Sequence, residues 1–282
     1  MKTLIPLVLA GAATAVGCGG GRLTESQEYY VGRGVAANAM FDSSGRAVGP
    51  VNNPALEEYV NLVGLTLALE SDRSETFKGY HFAVVNSGDI NAFAAPGGFV
   101  FVTLGAIRQM QSEDELAGVL AHEVAHVVLR HPEDHANRAA NQAGVMGILS
   151  TGAHIVSIGL SLAGKQTAAE NLQTVTKGFT EVLDGFLKEI MVNGYGRESE
   201  LKADAYAVDL LTRPGVRYDP GALKAFIGRL PKKDRGAWST HPGLEGRMQA
   251  VEEEIKKRGA VPSTDPGRTD RFKAMTAGLR GQ

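Results

Sequence analysis

Through most of this chain apolar residues recur at intervals of three and four, the period of a helix packed along one side. In residues 54–70, Leu56, Tyr59, Val60, Val63 and Leu67 follow that rule behind Pro54, which suits a first helical turn; residues 25–40 also read as a helix. The period then changes. Residues 80–85 are an apolar run closed by Asn86, Ser87 and Gly88, and two more short runs, 90–94 and 99–103, are joined by Pro96-Gly97-Gly98. The runs predict strands and the triplet predicts a turn. Nearly everything after Leu104 returns to a helical pattern, so only a small sheet is available and the predicted fold class is α+β, mainly α-helical.

Ser112 with Glu115 three residues on forms a capping box ahead of Leu116, Val119, Leu120, Val124, Val127 and Val128. That helix is expected to end near His131-Pro132, because proline disfavours helical geometry in the residue before it. Further helices are predicted over residues 197–211, stopped by Pro214-Gly215, after Asp219-Pro220, and over residues 244–257. Residues 143–164 are apolar and without formal charge, yet five glycines with Ser150, Thr151, Ser157 and Ser161 dilute them. Packed core helices are expected there, with a membrane-inserted or membrane-surface hairpin as the alternative. After Gly259 the chain turns to Pro, Gly, Thr and charge, and no element is predicted.

Composition narrows the function. With 282 residues, 43% of them hydrophobic, a substantial core can be buried. The 29 basic and 31 acidic side chains leave a formal charge of −2, which gives no pull toward nucleic acid. Lys2, the apolar stretch 4–16 and Gly17 read as an export signal over residues 1–17 rather than a spanning helix. Cys18 is the only cysteine, so neither an intramolecular disulfide nor a thiolate metal site is available. Ala15-Val16-Gly17-Cys18 resembles a bacterial lipobox, which implies lipidation of Cys18 and, with Gly19 and Gly20 following, a membrane-anchored lipoprotein of the outer membrane facing the periplasm. The alternative is an ordinary signal with an incidental cysteine. Residues 18–24 are then a linker, residues 25–258 the main domain, and residues 259–282 a tail.

The chemistry concentrates in His122-Glu123-Val124-Ala125-His126. Four residues turn a helix by about 400°, so the two histidines project from one face a turn apart, where both imidazoles can grip one zinc ion. Glu123 then lies beside the metal, placed to take a proton from an attacking water. A catalytic zinc needs a third protein ligand. The helix around Glu198 to Asp204 supplies Glu200, with Asp204 one turn on to accept the second N–H of a ligating histidine; the bland reading is a solvated acidic face pairing with Lys202. His241, in Ser239-Thr240-His241-Pro242, is either an exposed turn residue or, folded over the metal with Arg247 nearby, an oxyanion contributor or a fourth donor. His131, His135 and His154 read as structural or exposed.

Asn91-Ala92-Phe93, Pro96-Gly97-Gly98, the 122–126 motif, the 200–204 helix, and Ser239-Thr240-His241-Pro242 with Arg247 together resemble one zinc metallopeptidase family. It contains the CaaX prenyl endopeptidases and the HtpX, Oma-type and BepA-type proteases. The resemblance runs from about residue 29 to 255. It implies a zincin-like domain, one Zn2+ per chain held by His122, His126 and Glu200, and Glu123 as general base and acid. It also implies a substrate added as a strand along Asn91, Ala92, Phe93 and Ala94. The chain lacks the several spanning helices and the helical repeats of some relatives and looks most like short lipoprotein members, which implies unfolded or misfolded envelope proteins as substrates. The rival expectation is a non-catalytic envelope chaperone or assembly factor that keeps zinc for structure.

Overall fold

The computed structural model describes residues 22–38, 49, 51–142, 177–178, 180–187, 190, 194–230, 241, 244–263 and 265–279. The expected export signal over residues 1–17, Cys18, His154 and the apolar stretch 143–164 lie outside the described residues. Within them no helix is long and apolar enough to cross a membrane. The elements run α1 (Glu25–Asn38), α2 (Pro54–Leu69), β1 (His81–Val85), β2 (Ala92–Ala95), β3 (Phe99–Thr103), α3 (Leu104–Gln109), α4 (Glu113–Val128) and α5 (His131–Gln142). After the helical residues 177–178, 180–187 and 190 come α6 (Arg197–Thr212), α7 (Ala222–Arg229), α8 (Leu244–Arg258) and α9 (Pro266–Thr276). The expected mainly helical α+β architecture is what forms.

The sheet has the order β1-β3-β2. Strand β3 is central and buried throughout, parallel to β1 (His81↔Phe99) and antiparallel to β2 (Ala92↔Val102), so β2 is an edge. It runs from Ala92 to Ala95, which leaves Ile90 and Asn91 in the approach loop rather than in the strand. Alternation divides the side chains by parity. Phe82, Val84, Ala92, Ala94, Val100 and Val102 face a core shared with α2, α4 and α6. Val85, Ala95, Phe99 and Phe101 face a second core with Val31 and Val35 of α1 and with Val182 and Phe186. The β2–β3 connection needs its glycines: Gly97 and Gly98 have φ of 78° and 89°, and a Cβ on Gly97 would stand 2.7 Å from the Tyr29 Cα.

Helix α4 lies at the centre. Ser112 Oγ accepts from Glu115 N at 3.3 Å, and Glu115 Oε2 reaches back to accept from Gln111 N at 2.9 Å, a close variant of the expected capping box. Every residue from Glu113 to Val127 is buried, as for a helix packed on all sides. The helix stops at Val128, three residues before the expected end. Arg130 takes a left-handed φ of 60° and reverses the chain, and Pro132 sits in the first turn of α5, where its missing N–H costs nothing. Glu28 of α1 holds the reversal, pairing with Arg130 Nη1 at 3.0 Å and with Arg73 Nη2 at 3.1 Å, while Arg73 also donates to the Val127 carbonyl at 3.1 Å.

The residues after Gly259, where the pattern gave no element, form α9. Asp265 caps its first turn by accepting from Gly267 N at 2.9 Å, and Phe272 is buried in the core. The guanidinium of Arg271 takes both carboxylate oxygens of Glu113, and Arg268 Nη1 donates to Asp114 Oδ1 at 2.9 Å. Tyr59 and Tyr218 add hydroxyl donors to Glu113 at 2.9 and 3.1 Å, so the first turn of α4 is tied to three other elements.

Candidate metal centre

Helix α4 packs against α6 with His122, Glu123 and His126 facing Glu200 and Asp204, and α8 brings Arg247 in behind them. All six side chains, and His241 with them, have 0% exposure. The structure thus gathers into one buried cluster the residues that the spacing selected from four separate stretches of chain. His241 is among them and is not an exposed turn residue.

Four donor atoms converge. His122 Nε2 is 3.0 Å from His126 Nε2, 3.4 Å from Glu200 Oε2 and 3.2 Å from His241 Nδ1; His126 Nε2 is 3.5 Å from Glu200 Oε1, and His241 Nδ1 is 3.0 Å from Glu200 Oε2. Zinc–nitrogen bonds of about 2.0–2.1 Å set tetrahedral edges of roughly 3.3–3.4 Å, so the cluster has the size of a zinc coordination shell. It is the metal-sized grouping that His122, His126, Glu200 and His241 make among the described residues.

Each donor is backed from behind. His122 Nδ1 lies 2.9 Å from Asp204 Oδ1, while Nε2 is the ring nitrogen at the cluster. Arg247 clamps the same carboxylate, Nε to Oδ2 at 2.7 Å and Nη2 to Oδ1 at 2.6 Å, and its Nη1 lies 2.8 Å from Glu200 Oε2, out of line for a hydrogen bond. His126 Nδ1 meets His131 Nδ1 at 2.8 Å. Spacing alone put His131 off the face of the histidine pair; the reversal at Arg130 brings it back from the next helix. On the other side Tyr195 stacks on His126, ring centroids 4.0 Å apart and 29° between planes. Neither His131 nor Tyr195 carried a functional signal in the sequence.

The electrostatics favour charged carboxylates facing imidazoles. Burial opposes ionisation of Glu200, but His241, His122 and Arg247 outweigh it and hold the group well below the usual carboxylate range. Burial likewise opposes the Asp204 charge, and Arg247 overcomes it. Burial pushes His126 well below the ordinary imidazole value, so its ring is neutral. For His241 burial is overcome by Glu200 and Glu123 on either side, and its pKa is held up to about 10. Its Nε2 lies 3.0 Å from the Ala92 carbonyl oxygen and its Nδ1 3.0 Å from Glu200 Oε2. The same Nε2 is 3.2 Å from Glu123 Oε1, yet neither oxygen of Glu123 accepts a hydrogen bond among the described residues.

The expected substrate edge adjoins the cluster. Asn91 Oδ1 accepts from Ala92 N at 3.0 Å at the mouth of β2, Phe93 stacks on Phe101 at 4.8 Å, and Tyr195 donates its hydroxyl to the Ala94 carbonyl at 2.7 Å.

With known proteins the likeness is extensive. A sequence profile of peptidase family M48 matches residues 54–255. The beta-barrel assembly-enhancing protease of Yersinia pestis is 32% identical over 210 residues, covering 72% of this chain and 40% of that protein. Metalloprotease LoiP of Escherichia coli K12 is 26% identical over 211 residues, covering 73% of this chain and 74% of LoiP. The mitochondrial metalloendopeptidase OMA1 of Schizosaccharomyces pombe is 29% identical over 177 residues, 60% of this chain and 45% of that protein. This chain thus spans only about two fifths of the Yersinia relative. The donor set fits zinc, the metal that family M48 uses. Since the matched region contains all four converging donors and spans well over half of the 282 residues, the chain belongs to peptidase family M48.

Proposed function

We propose that this protein is a zinc-dependent endopeptidase that hydrolyses peptide bonds in extended or misfolded cell-envelope proteins, with zinc held by His122, His126 and Glu200. The observation that carries the reading is Glu123, a buried carboxylate with no hydrogen-bond partner among the described residues, beside a zinc-sized cluster of donors. His241 is the nearest cationic group, 3.2 Å away, but a buried carboxylate whose oxygens accept no hydrogen bond is costly, and folds retain such a group where chemistry uses it. Zinc, when bound, supplies a Lewis acid that lowers the pKa of water toward about 7 and polarises the scissile carbonyl. Glu123 takes the proton of the attacking water and returns it to the leaving amine. Asp204 fixes the tautomer of His122, and His131 accepts the far N–H of His126. Arg247 holds Asp204 and Glu200 in charge balance from behind. A neutral His241 would be able to hold the metal as a further ligand, and a protonated His241 free of it would be placed to donate to the oxyanion that forms at the carbonyl.

The envelope as the site of action is supported by the export pattern of residues 1–17, the lipobox-like cysteine at 18, and relatives named for assembly of β-barrels. A lipid anchor at Cys18 places the domain at the periplasmic face of the outer membrane, where unfolded substrate proteins pass.

A second reading, the zinc-holding chaperone, draws on one observation: with His241 at the fourth corner the cluster resembles a closed structural site. Chelation separates the two. The purified protein is expected to degrade unfolded casein, to stop on addition of 1,10-phenanthroline and to resume with stoichiometric zinc. A zinc-loaded protein that prevents casein aggregation without cutting it would establish the chaperone instead.

The contact between His131 and His126 gives a further expectation. His131→Ala leaves the His126 Nδ1 buried without its partner, and loss of such outer contacts typically weakens metal binding by about 10- to 100-fold. Competition against a chromophoric chelator measures this; an unaltered zinc affinity would remove His131 from the site.

A further inference from the structure

Strand β2 offers two outward carbonyls, and side chains of the metal centre engage both. Thr103 N donates to Asn91 O at 3.0 Å, which fixes the phase of the β2–β3 ladder. Alternate residues pair in an antiparallel ladder, so 91, 93 and 95 face β3 while Ala92 and Ala94 face away. His241 Nε2 lies 3.0 Å from the Ala92 oxygen and Tyr195 Oη 2.7 Å from the Ala94 oxygen. A strand docking alongside would place its backbone N–H nitrogens about 2.9 Å from such oxygens. The imidazole and the phenol already stand in that space. The N–H groups of a fourth strand therefore compete with these two side chains for the same oxygens.

Tyr195 is held there from several directions. Its ring is buried, stacks on His126 and meets His135 edge-on at 5.4 Å. Gly196, with φ of 82°, turns the chain directly into α6, so the phenol and Glu200 are set by the same helix start. Burial pushes the phenol pKa well above its ordinary value, which keeps the hydroxyl a neutral donor.

We propose that Tyr195 is a substrate-positioning residue whose hydroxyl holds the Ala94 carbonyl in the resting protein and surrenders it to the backbone N–H of an incoming extended peptide. The proposal rests on the peptidase reading for the identity of β2 as the substrate cradle. It adds a criterion of selection. A chain with a free N–H at that register displaces the phenol, whereas a strand whose N–H is already engaged in its own fold, or a proline, cannot. Unpaired polypeptide is thus admitted and folded protein refused by hydrogen-bond exchange rather than by side-chain identity.

The test is Tyr195→Phe, which keeps the ring and its stack on His126 and removes only the competing donor. In a Glu123→Gln background, fluorescein-labelled casein should bind the Phe variant about three- to tenfold more tightly, the scale of one net hydrogen bond. In the Glu123-bearing protein KM for casein should fall by the same factor and kcat/KM rise with it. Zinc content and melting temperature report whether the variant is intact. Independently, with Tyr195 in place, the slowly exchanging hydroxyl proton of a buried donor should vanish from the proton NMR spectrum when casein binds. Equal or weaker casein binding by the Phe variant overturns the proposal, as does a tenfold loss of kcat at unchanged affinity, which would put the hydroxyl on the reacting atoms. Persistence of the hydroxyl proton in the casein complex overturns it too. If the Glu123-bearing protein binds casein and responds to Tyr195→Phe but never cleaves, the hydrolytic reading falls and this one stands.

Discussion

Glu123→Gln should keep one zinc per chain and lose casein cleavage by about 10²- to 10⁴-fold, the usual contribution of a positioned proton-transfer group. The amide preserves the shape of the side chain and removes only its capacity to accept a proton. A second consequence has the opposite sign. Glu123 is fully buried and neither oxygen accepts a hydrogen bond among the described residues, and a neutral amide is cheaper to bury than a carboxylate. Against the lost charge facing His241 at 3.2 Å the variant gains this relief, and it should melt at a temperature equal to or above that of the parent, the pattern of a residue kept for activity at a cost in stability. Turnover and zinc content measured on the same preparation, beside a thermal melt, decide the matter. A variant that still cleaves would take Glu123 out of the mechanism.

Arg247→Met should be among the most destabilising substitutions in the chain. The guanidinium is fully buried, forks onto both oxygens of Asp204 and lies against Glu200. Removing it leaves Asp204 buried without its guanidinium and takes a positive charge from beside Glu200, and breaking such a pair costs about 3–5 kcal/mol. For a domain of this size that corresponds to a fall in melting temperature of about 10 °C. Zinc occupancy should fall as well, because Asp204 no longer holds the His122 tautomer firmly. Arg247→Lys should recover little, since one ammonium cannot reproduce the bidentate fork. A melting temperature within a degree or two of the parent would mean that zinc alone balances the carboxylates.

Much of this was legible in the order of residues, and the legible part is the part with a period. Helices α2, α4, α6 and α8 follow from apolar residues three and four apart, and β3 from an apolar run between a turn and a helix start. His122 and His126 share a face because a helix repeats at that spacing, and Glu200 and Asp204 do so for the same reason. The rest depends on where the chain reverses. Pro132 reads as a stop for the helix before it, yet it equally suits the first turn of the helix after it, and both occur within four residues. His131 owes its place beside His126 to the left-handed backbone at Arg130, which no periodicity encodes. Tyr195 meets Ala94 across 101 positions of chain, a separation at which sequence spacing carries no information. The tail after Gly259 was opaque for a related reason: α9 is short and mostly exposed, and it is stabilised by Phe272 and two arginines whose partners stand more than 150 residues earlier.

That last arrangement has a consequence for when the central helix is secured. Synthesis proceeds from the first residue toward the last. A chain that has emerged only as far as residue 255 already carries both histidines, both acidic residues of α6, the imidazole at 241 and the guanidinium at 247. It still lacks Arg268 and Arg271, and so must sink Glu113 beneath the surface with no cation against it. Until the later residues arrive, the opening turn of the central helix has Tyr59, Tyr218 and Arg229 to hold it but neither arginine of α9. The helix that carries two of the metal donors is therefore fully pinned only once residues 268 and 271 are in place.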